Sequence, residues 1–170
     1  MIRALAALSF LFTTACGYHV AGHSNLLPKD VKTIAIPSFG NATVRPKVPR
    51  LLSADLTREF ISRTHYTIVA DPNQADAVLT GMLLTFNNYP VLSDPVSGRS
   101  TGVQVAVTVQ VTLTDRRTNK VLFTRPSLEF RDRYEITLDP STYFDESDTA
   151  AARLSRDIAR TIVSAILEAF

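Results

Sequence analysis

From Val103 to Leu113 every odd position is apolar (Val103, Val105, Val107, Val109, Val111, Leu113), while Gln104, Ala106, Thr108, Gln110 and Thr112 fill the even ones. Strict alternation with β-branched residues predicts a strand buried on one face and wetted on the other, about 36 Å long at roughly 3.3 Å per residue. Asp115 to Lys120 forms a polar hairpin turn. The next strand starts with Val121 and Phe123 inward. After Pro126 the phase flips, and Leu128, Phe130, Tyr134, Ile136 and Leu138 become the apolar set. A one-residue slip at a proline predicts a β-bulge on an edge strand. Glu129, Arg131, Arg133 and Glu135 then share the polar face with alternating sign.

Upstream, Lys32 to Pro37 predicts a short strand with Ile34 and Ile36 inward, and Phe39 to Pro49 a loop broken by Gly40, Asn41, Pro46 and Pro49. Leu52, Leu56 and Phe60, flanked by Leu51 and Ile61, predict an amphipathic helix over about Arg50–Arg63. Tyr66 to Val69 is a second short strand. Ala77 to Phe86 is a third, with Gly81 marking a bulge or a close approach. Asn87 to Gly98 is expected to be a loop. A second helix is predicted from about Asp145 to the C-terminus, on the stripe Leu154, Ile158, Ile162, Ile166 and Phe170, with Ala151 and Ala165 beside it. Asp145, Glu146 and Asp148 sit at its start, where the helix dipole favours acids. The whole predicts an α+β fold: a mostly antiparallel four-stranded sheet with a long bulged hairpin and two amphipathic helices packed on one face.

The first fifteen residues differ in kind. Arg3 is their only charge, Ala4 to Phe12 is apolar but for Ser9, and Thr13, Thr14 and Ala15 lead to Cys16. A basic start, a short apolar middle and small residues at the cut describe a secretory signal peptide over residues 1–15. The run falls short of the ~20 apolar residues a membrane span needs. Cys16 is the only cysteine, so it has no intramolecular disulfide partner; its place directly after the small residues marks it as the acylated N-terminus of a lipoprotein. Each buried methylene contributes about 0.8 kcal/mol, so several chains hold such a protein firmly on its membrane. Gly17 stands where an aspartate would retain the protein at the inner membrane, which points to the outer one. Residues 16–31 then form a lipidated tether and residues 32–170 a single domain.

Of the 18 basic residues Arg3 lies in the leader, leaving 17 against 16 acidic ones, a net charge of +1. Nucleic-acid binding usually needs a clustered basic excess. His19, His23 and His65 lack metal-ligand spacing, and no nucleophile elbow, phosphate-cradling loop or dinucleotide fingerprint occurs. The expectation is a protein that is not an enzyme, without metal or other cofactor beyond the acyl chains on Cys16.

Charge is nonetheless uneven. Val96 to Leu128 holds Arg99, Arg116, Arg117, Lys120 and Arg125 against Asp115, a net of +4, whereas Asp132 to Asp148 holds six acids against Arg133, a net of −5. In a paired hairpin Arg116, Arg117 and Lys120 lie at one end of the sheet and Arg99 at the other, some 30 Å away. For the turn cluster a solvated loop competes with a specific anion contact, and the same two readings apply to Arg99.

The opening Ala15-Cys16-Gly17-Tyr18-His19, the segment Val31 to Phe39 (Val-Lys-Thr-Ile-Ala-Ile-Pro-Ser-Phe) and the long bulged hairpin followed by a terminal helix resemble the LptE family of lipopolysaccharide-assembly outer-membrane lipoproteins. The resemblance implies a plug inside the LptD β-barrel, on the periplasmic side of the outer membrane. It also implies help in assembling that barrel, and binding of lipopolysaccharide on its way to the outer leaflet. Basic residues would meet lipid A phosphates; by position Arg99 is the best match, with Arg116, Arg117 and Lys120 as further candidates. The segment Ile-Ala-Ile-Pro-Ser-Phe-Gly-Asn is also similar to the first strand of CsgG/LpoB-like and TolB N-terminal envelope lipoproteins, which would imply a secretion-pore subunit or an activator of a periplasmic enzyme.

Overall fold

In the computed structural model, which describes residues 27–28, 30–93, 95, 100–135 and 147–170, the alternating segment is the strand Ser100–Asp115. Its odd positions from Val103 to Leu113 are all buried, and its even positions are partly or fully exposed. In chain order the elements are β1 (Thr33–Ala35), β2 (Gly40–Asn41), α1 (Lys47–Arg63), β3 (Thr67–Val69), a 3-10 turn (Pro72–Gln74), β4 (Ala77–Ser93), β5 (Ser100–Asp115), β6 (Val121–Glu135) and α2 (Ser147–Leu167). The leader, Cys16, most of the tether, Arg99, and Asp139, Pro140, Asp145 and Glu146 lie outside the described residues.

The sheet is mixed and has six strands, not four. Its order is β3-β1-β4-β5-β6, with β2 also paired to β4. β1 runs parallel to both β3 and β4, and β2 parallel to β4, while β4, β5 and β6 form an antiparallel meander. The parallel part follows from connectivity: β1 returns to β3 through α1, and such crossovers join parallel strands. Among the described strands β6 is an edge strand, and its register steps from Val109↔Leu128 to Val111↔Arg125. Three residues of β6 therefore oppose two of β5, and the extra one falls at Pro126-Ser127, where the sequence phase flips.

Three expectations need correction. The segment Asn87–Ser93, part of the expected loop, continues β4, paired with β5 as far as Ser93↔Ser100. A bulge between Leu83 and Thr85 breaks the apolar period, and past Leu83 β4 has β5 as its one neighbour among the described strands, the setting in which Pro90 is tolerated. Helix α1 begins at Lys47 rather than Arg50. Pro49 sits in its first turn, where the missing N–H has no intrahelical acceptor to lose. Phe170 and Ile61 stay exposed, because α2 ends at Leu167 and Ile61 points away from the core.

Leu52, Leu56 and Phe60 of α1 and Leu154, Ile158, Ile162 and Ile166 of α2 are fully or almost fully buried against the apolar face of the sheet, so both helices cover that face. Three polar contacts fix how the helices meet: Lys47 Nζ to Asp148 Oδ2 at 2.9 Å, Ser155 Oγ to Asp55 Oδ2 at 2.5 Å, and Arg63 Nη1 to Ser164 Oγ at 2.8 Å. Their separations are 101, 100 and 101 residues. A constant offset means the helices run parallel and in register.

The middle contact is buried, and Asp55 also takes Arg58 Nη2 at 2.5 Å. Ser155→Ala removes the hydroxyl donor from a buried carboxylate and should cost about 1–3 kcal/mol in urea unfolding. The same change in an Asp55→Ala background should cost much less, because the partner is already gone.

Candidate functional site

The second face of the meander is polar because the even positions of β5 point to it. Across the three strands it presents Thr80, Thr85 and Asn87 from β4, Gln104, Thr108, Gln110 and Thr112 from β5, and Thr124 from β6. Hydroxyl contacts tie neighbouring strands: Thr85 Oγ1 donates to Thr108 Oγ1 at 2.9 Å, Thr112 Oγ1 lies 3.1 Å from Thr124 Oγ1, and Thr80 Oγ1 donates to the Thr112 carbonyl at 3.4 Å. The middle of this face is thus uncharged but rich in donors and acceptors. Along β6 it gains a charged border, Glu129, Arg131, Arg133 and Glu135, in which Arg131 pairs with Glu129 at 2.7 Å.

One end of the sheet carries the basic turn expected from the sequence. Asp115 N–H donates to the Lys120 carbonyl at 2.9 Å, and Asp115 Oδ1 accepts the N–H groups of Arg117 at 2.8 Å and Thr118 at 3.0 Å. Asn119 adopts φ 55°, the left-handed conformation that asparagine tolerates in turns. The turn brings Arg116, Arg117 and Lys120 together, all exposed. Arg117 is engaged by Asp30, three residues ahead of β1, a contact that the sequence pattern did not suggest. Arg116 N–H donates to the Asp76 carbonyl at 2.8 Å. The chain that leads back towards Cys16 enters the fold here, with Leu27 and Val31 buried.

Asp76 closes this end. Its Oδ2 accepts Lys32 N–H at 2.9 Å, Thr33 N–H at 3.0 Å and Thr33 Oγ1 at 2.9 Å. These bonds, led by the Lys32 N–H and aided by the Arg117 charge, hold its carboxyl below the usual carboxylate range. The N–H groups of Thr118 and Arg117 do the same for Asp115, the first more than the second. Both groups bind fewer protons folded than unfolded between their folded pKa and the ordinary value near 3.9. Their stabilisation is therefore complete above that ordinary value and is lost as pH falls through the folded one. Thermal melts followed by circular dichroism should stay level from pH 7 to about 5 and drop below about 4, and Asp76→Asn should flatten that drop.

Among the described residues, no group of three His, Cys, Asp or Glu side chains is placed to hold a metal ion. His65 is exposed, between α1 and β3.

Known proteins provide the context. No curated protein matches the chain by sequence. Several solved structures share its fold. A lipoprotein B from Nitrosomonas europaea is 16% identical with a TM-score of 0.54, over 84% of this chain and 89% of that one. The rare lipoprotein B from Shewanella oneidensis is 15% identical at 0.51, over 80% and 94%. PelC from Paraburkholderia phytofirmans, a dodecamer, is 14% identical at 0.52, over 81% and 89%. At such identities the likeness is one of fold. The sequence model of the LptE family, described as lipopolysaccharide-assembly, matches residues 31–166, which takes in every strand and nearly all of both helices, so the chain belongs to the LptE family of envelope lipoproteins.

Proposed function

We propose that this protein plugs, and helps to assemble, a large outer-membrane β-barrel of the LptD kind, and binds lipopolysaccharide in transit to the outer leaflet. The observation that carries this reading is the second face of the meander. Its middle, across three strands of 17, 16 and 15 residues, presents an uncharged set of Thr, Gln and Asn side chains with the exposed Met82 and Tyr89 among them, bordered along β6 by Glu129, Arg131, Arg133 and Glu135. The lumen of a large barrel is polar, so a plug needs such a wall rather than an apolar one. Family membership supports the same reading, and the family is one of non-enzymatic lipoproteins. On this reading the protein works by binding alone, and needs no cofactor beyond the acyl chains on Cys16. Those chains hold it on the periplasmic face of the outer membrane.

For the lipid phosphates, Arg116 and Lys120 are the exposed charges at the turn, Arg117 shares its charge with Asp30, and Arg99 is the candidate on the other side of β5 in sequence. The test is to extract the lipidated protein from its membrane and identify by mass spectrometry what co-purifies. A stoichiometric outer-membrane barrel is expected. A self-assembled ring or a periplasmic synthase would point instead to the secretion-pore or activator type of envelope lipoprotein. The triple variant Arg99→Asp, Arg116→Asp, Lys120→Asp is expected to lose about tenfold or more in lipopolysaccharide binding, the size of losing one or more charge-assisted contacts. Unchanged binding would remove these residues from the site.

A further inference from the structure

The two parallel helices begin side by side, and next to their first turns lies a groove of about 450 Å³. That volume is in the range of roughly 300–1,000 Å³ typical of small-molecule sites. Its walls are mainly apolar: Val48 and Leu51 of α1, Phe86 of β4, and Ala151 and Ala152 of α2. Val44 forms part of the lip and is 91% exposed, an unusual position for an isolated aliphatic side chain beside a groove.

Positive charge collects at this groove. The Arg45 guanidinium lies 5.2 Å from the centre of the Phe86 ring, half-buried, and takes part in no ion pair among the described residues. Lys47 also lines the groove, and is answered by Asp148 at 2.9 Å. The start of α1 has no side-chain cap and no acid in its own first turn, but Val48 N–H reaches the Arg45 carbonyl at 3.4 Å and Pro49 has no N–H, so the positive group that the groove offers is the Arg45 guanidinium. An apolar slot with a guanidinium at its mouth that joins no ion pair among the described residues fits a ligand with a hydrocarbon chain and an anionic head.

We propose that this groove seats one acyl chain of lipopolysaccharide, with a lipid A phosphate on Arg45. The proposal rests on the lipopolysaccharide-handling reading above, but places the acyl chain at residues separate from the basic turn. Arg45 would keep its stacking on Phe86 while its free N–H groups meet the phosphate. The aliphatic walls would shield the chain from water.

The test uses the full lipidated protein in its own envelope, with a photo-crosslinking amino acid at Val44 in one strain and at Lys120 in another. Irradiation at Val44 is expected to give a lipopolysaccharide adduct, read by mass spectrometry and by antibody. Arg45→Glu should reduce that adduct about tenfold, the order expected for one charge-assisted contact. Ala152→Phe, which fills the groove without changing its charge, should reduce it as well; melting curves for both variants identify loss from misfolding. An adduct at position 120 with none at 44 overturns the groove and leaves the lipopolysaccharide reading standing. A phospholipid adduct alone at 44 also overturns it, giving the groove to the bulk membrane lipid. The absence of a lipopolysaccharide adduct at both positions overturns the groove together with the reading it rests on. Adduct levels at 44 that ignore both substitutions would do so too for the groove, since proximity without binding would then explain the crosslink.

Discussion

Phe60→Ala should cost about 3–5 kcal/mol in chemical denaturation, the usual range when a buried aromatic is cut back to a methyl. Phe60 is fully buried and one of the largest such side chains in the core, on the α1 face that meets the sheet and α2. Domains of this kind have only about 5–15 kcal/mol in total, so the variant should unfold well below the wild-type midpoint. Its neighbour serves as the control. Ile61 is 61% exposed, and Ile61→Ala should change stability by no more than about 0.5 kcal/mol. Similar losses at the two positions would mean that the helix is turned differently on the sheet.

Gly81→Val should be about as damaging for the opposite reason. A Cβ at Gly81 would stand 2.2 Å from Cε2 and 2.6 Å from both Cδ2 and Cζ of Phe39, closer than real side chains approach one another. Phe39 is buried and its N–H is held by Ser53 Oγ at 3.1 Å, so the ring has little room to retreat. Overpacking of this kind costs about 1–3 kcal/mol, and more where the neighbour cannot yield; a loss of about 3 kcal/mol or greater is expected here. Gly81→Ala in a Phe39→Leu background should lose much less than in the wild type, because the clash is with the ring itself. Additive losses in thermal melts would show that the glycine matters for some reason other than Phe39.

Gly81 also shows what a sequence can express. A glycine inside a β-pattern marks a bulge or a close approach, and the structure selects the close approach, with the bulge three residues further on, at Leu84. The alternation in β5 and the slip at Pro126 were legible because each is written in neighbouring residues: one face of the strand is dry, and one residue has no partner. β1 and β3 were legible as short strands, but their parallel pairing, and β2 altogether, were not. β1, β2 and β3 have two or three residues each and owe their existence to partners far along the chain, such as Ile34↔Ala77 and Gly40↔Met82. The end of β4 is extended because β5 pairs with it, whatever Asn87, Asn88 and Pro90 prefer locally. Of the site, the basic turn was visible as a charge cluster. The engagement of Arg117 by Asp30, and the assembly of Arg45, Phe86 and Ala152 around one groove, depend on how distant elements dock, and no spacing in the sequence encodes them.

The hundred-residue offset between the helices bears on how the chain comes to be folded at all. β4, β5 and β6 are successive neighbours and can zip as local hairpins, whereas the seam between α1 and α2 joins the first half of the domain to its last twenty-odd residues. Closing so long a loop is entropically expensive and slow. A chain emerging N-terminus first therefore passes through a stage in which β5 is paired yet its valine row is still uncovered by α2. For that interval the nascent protein is a sticky sheet, and its survival depends on how quickly the final helix arrives, or on a chaperone that covers the row until it does.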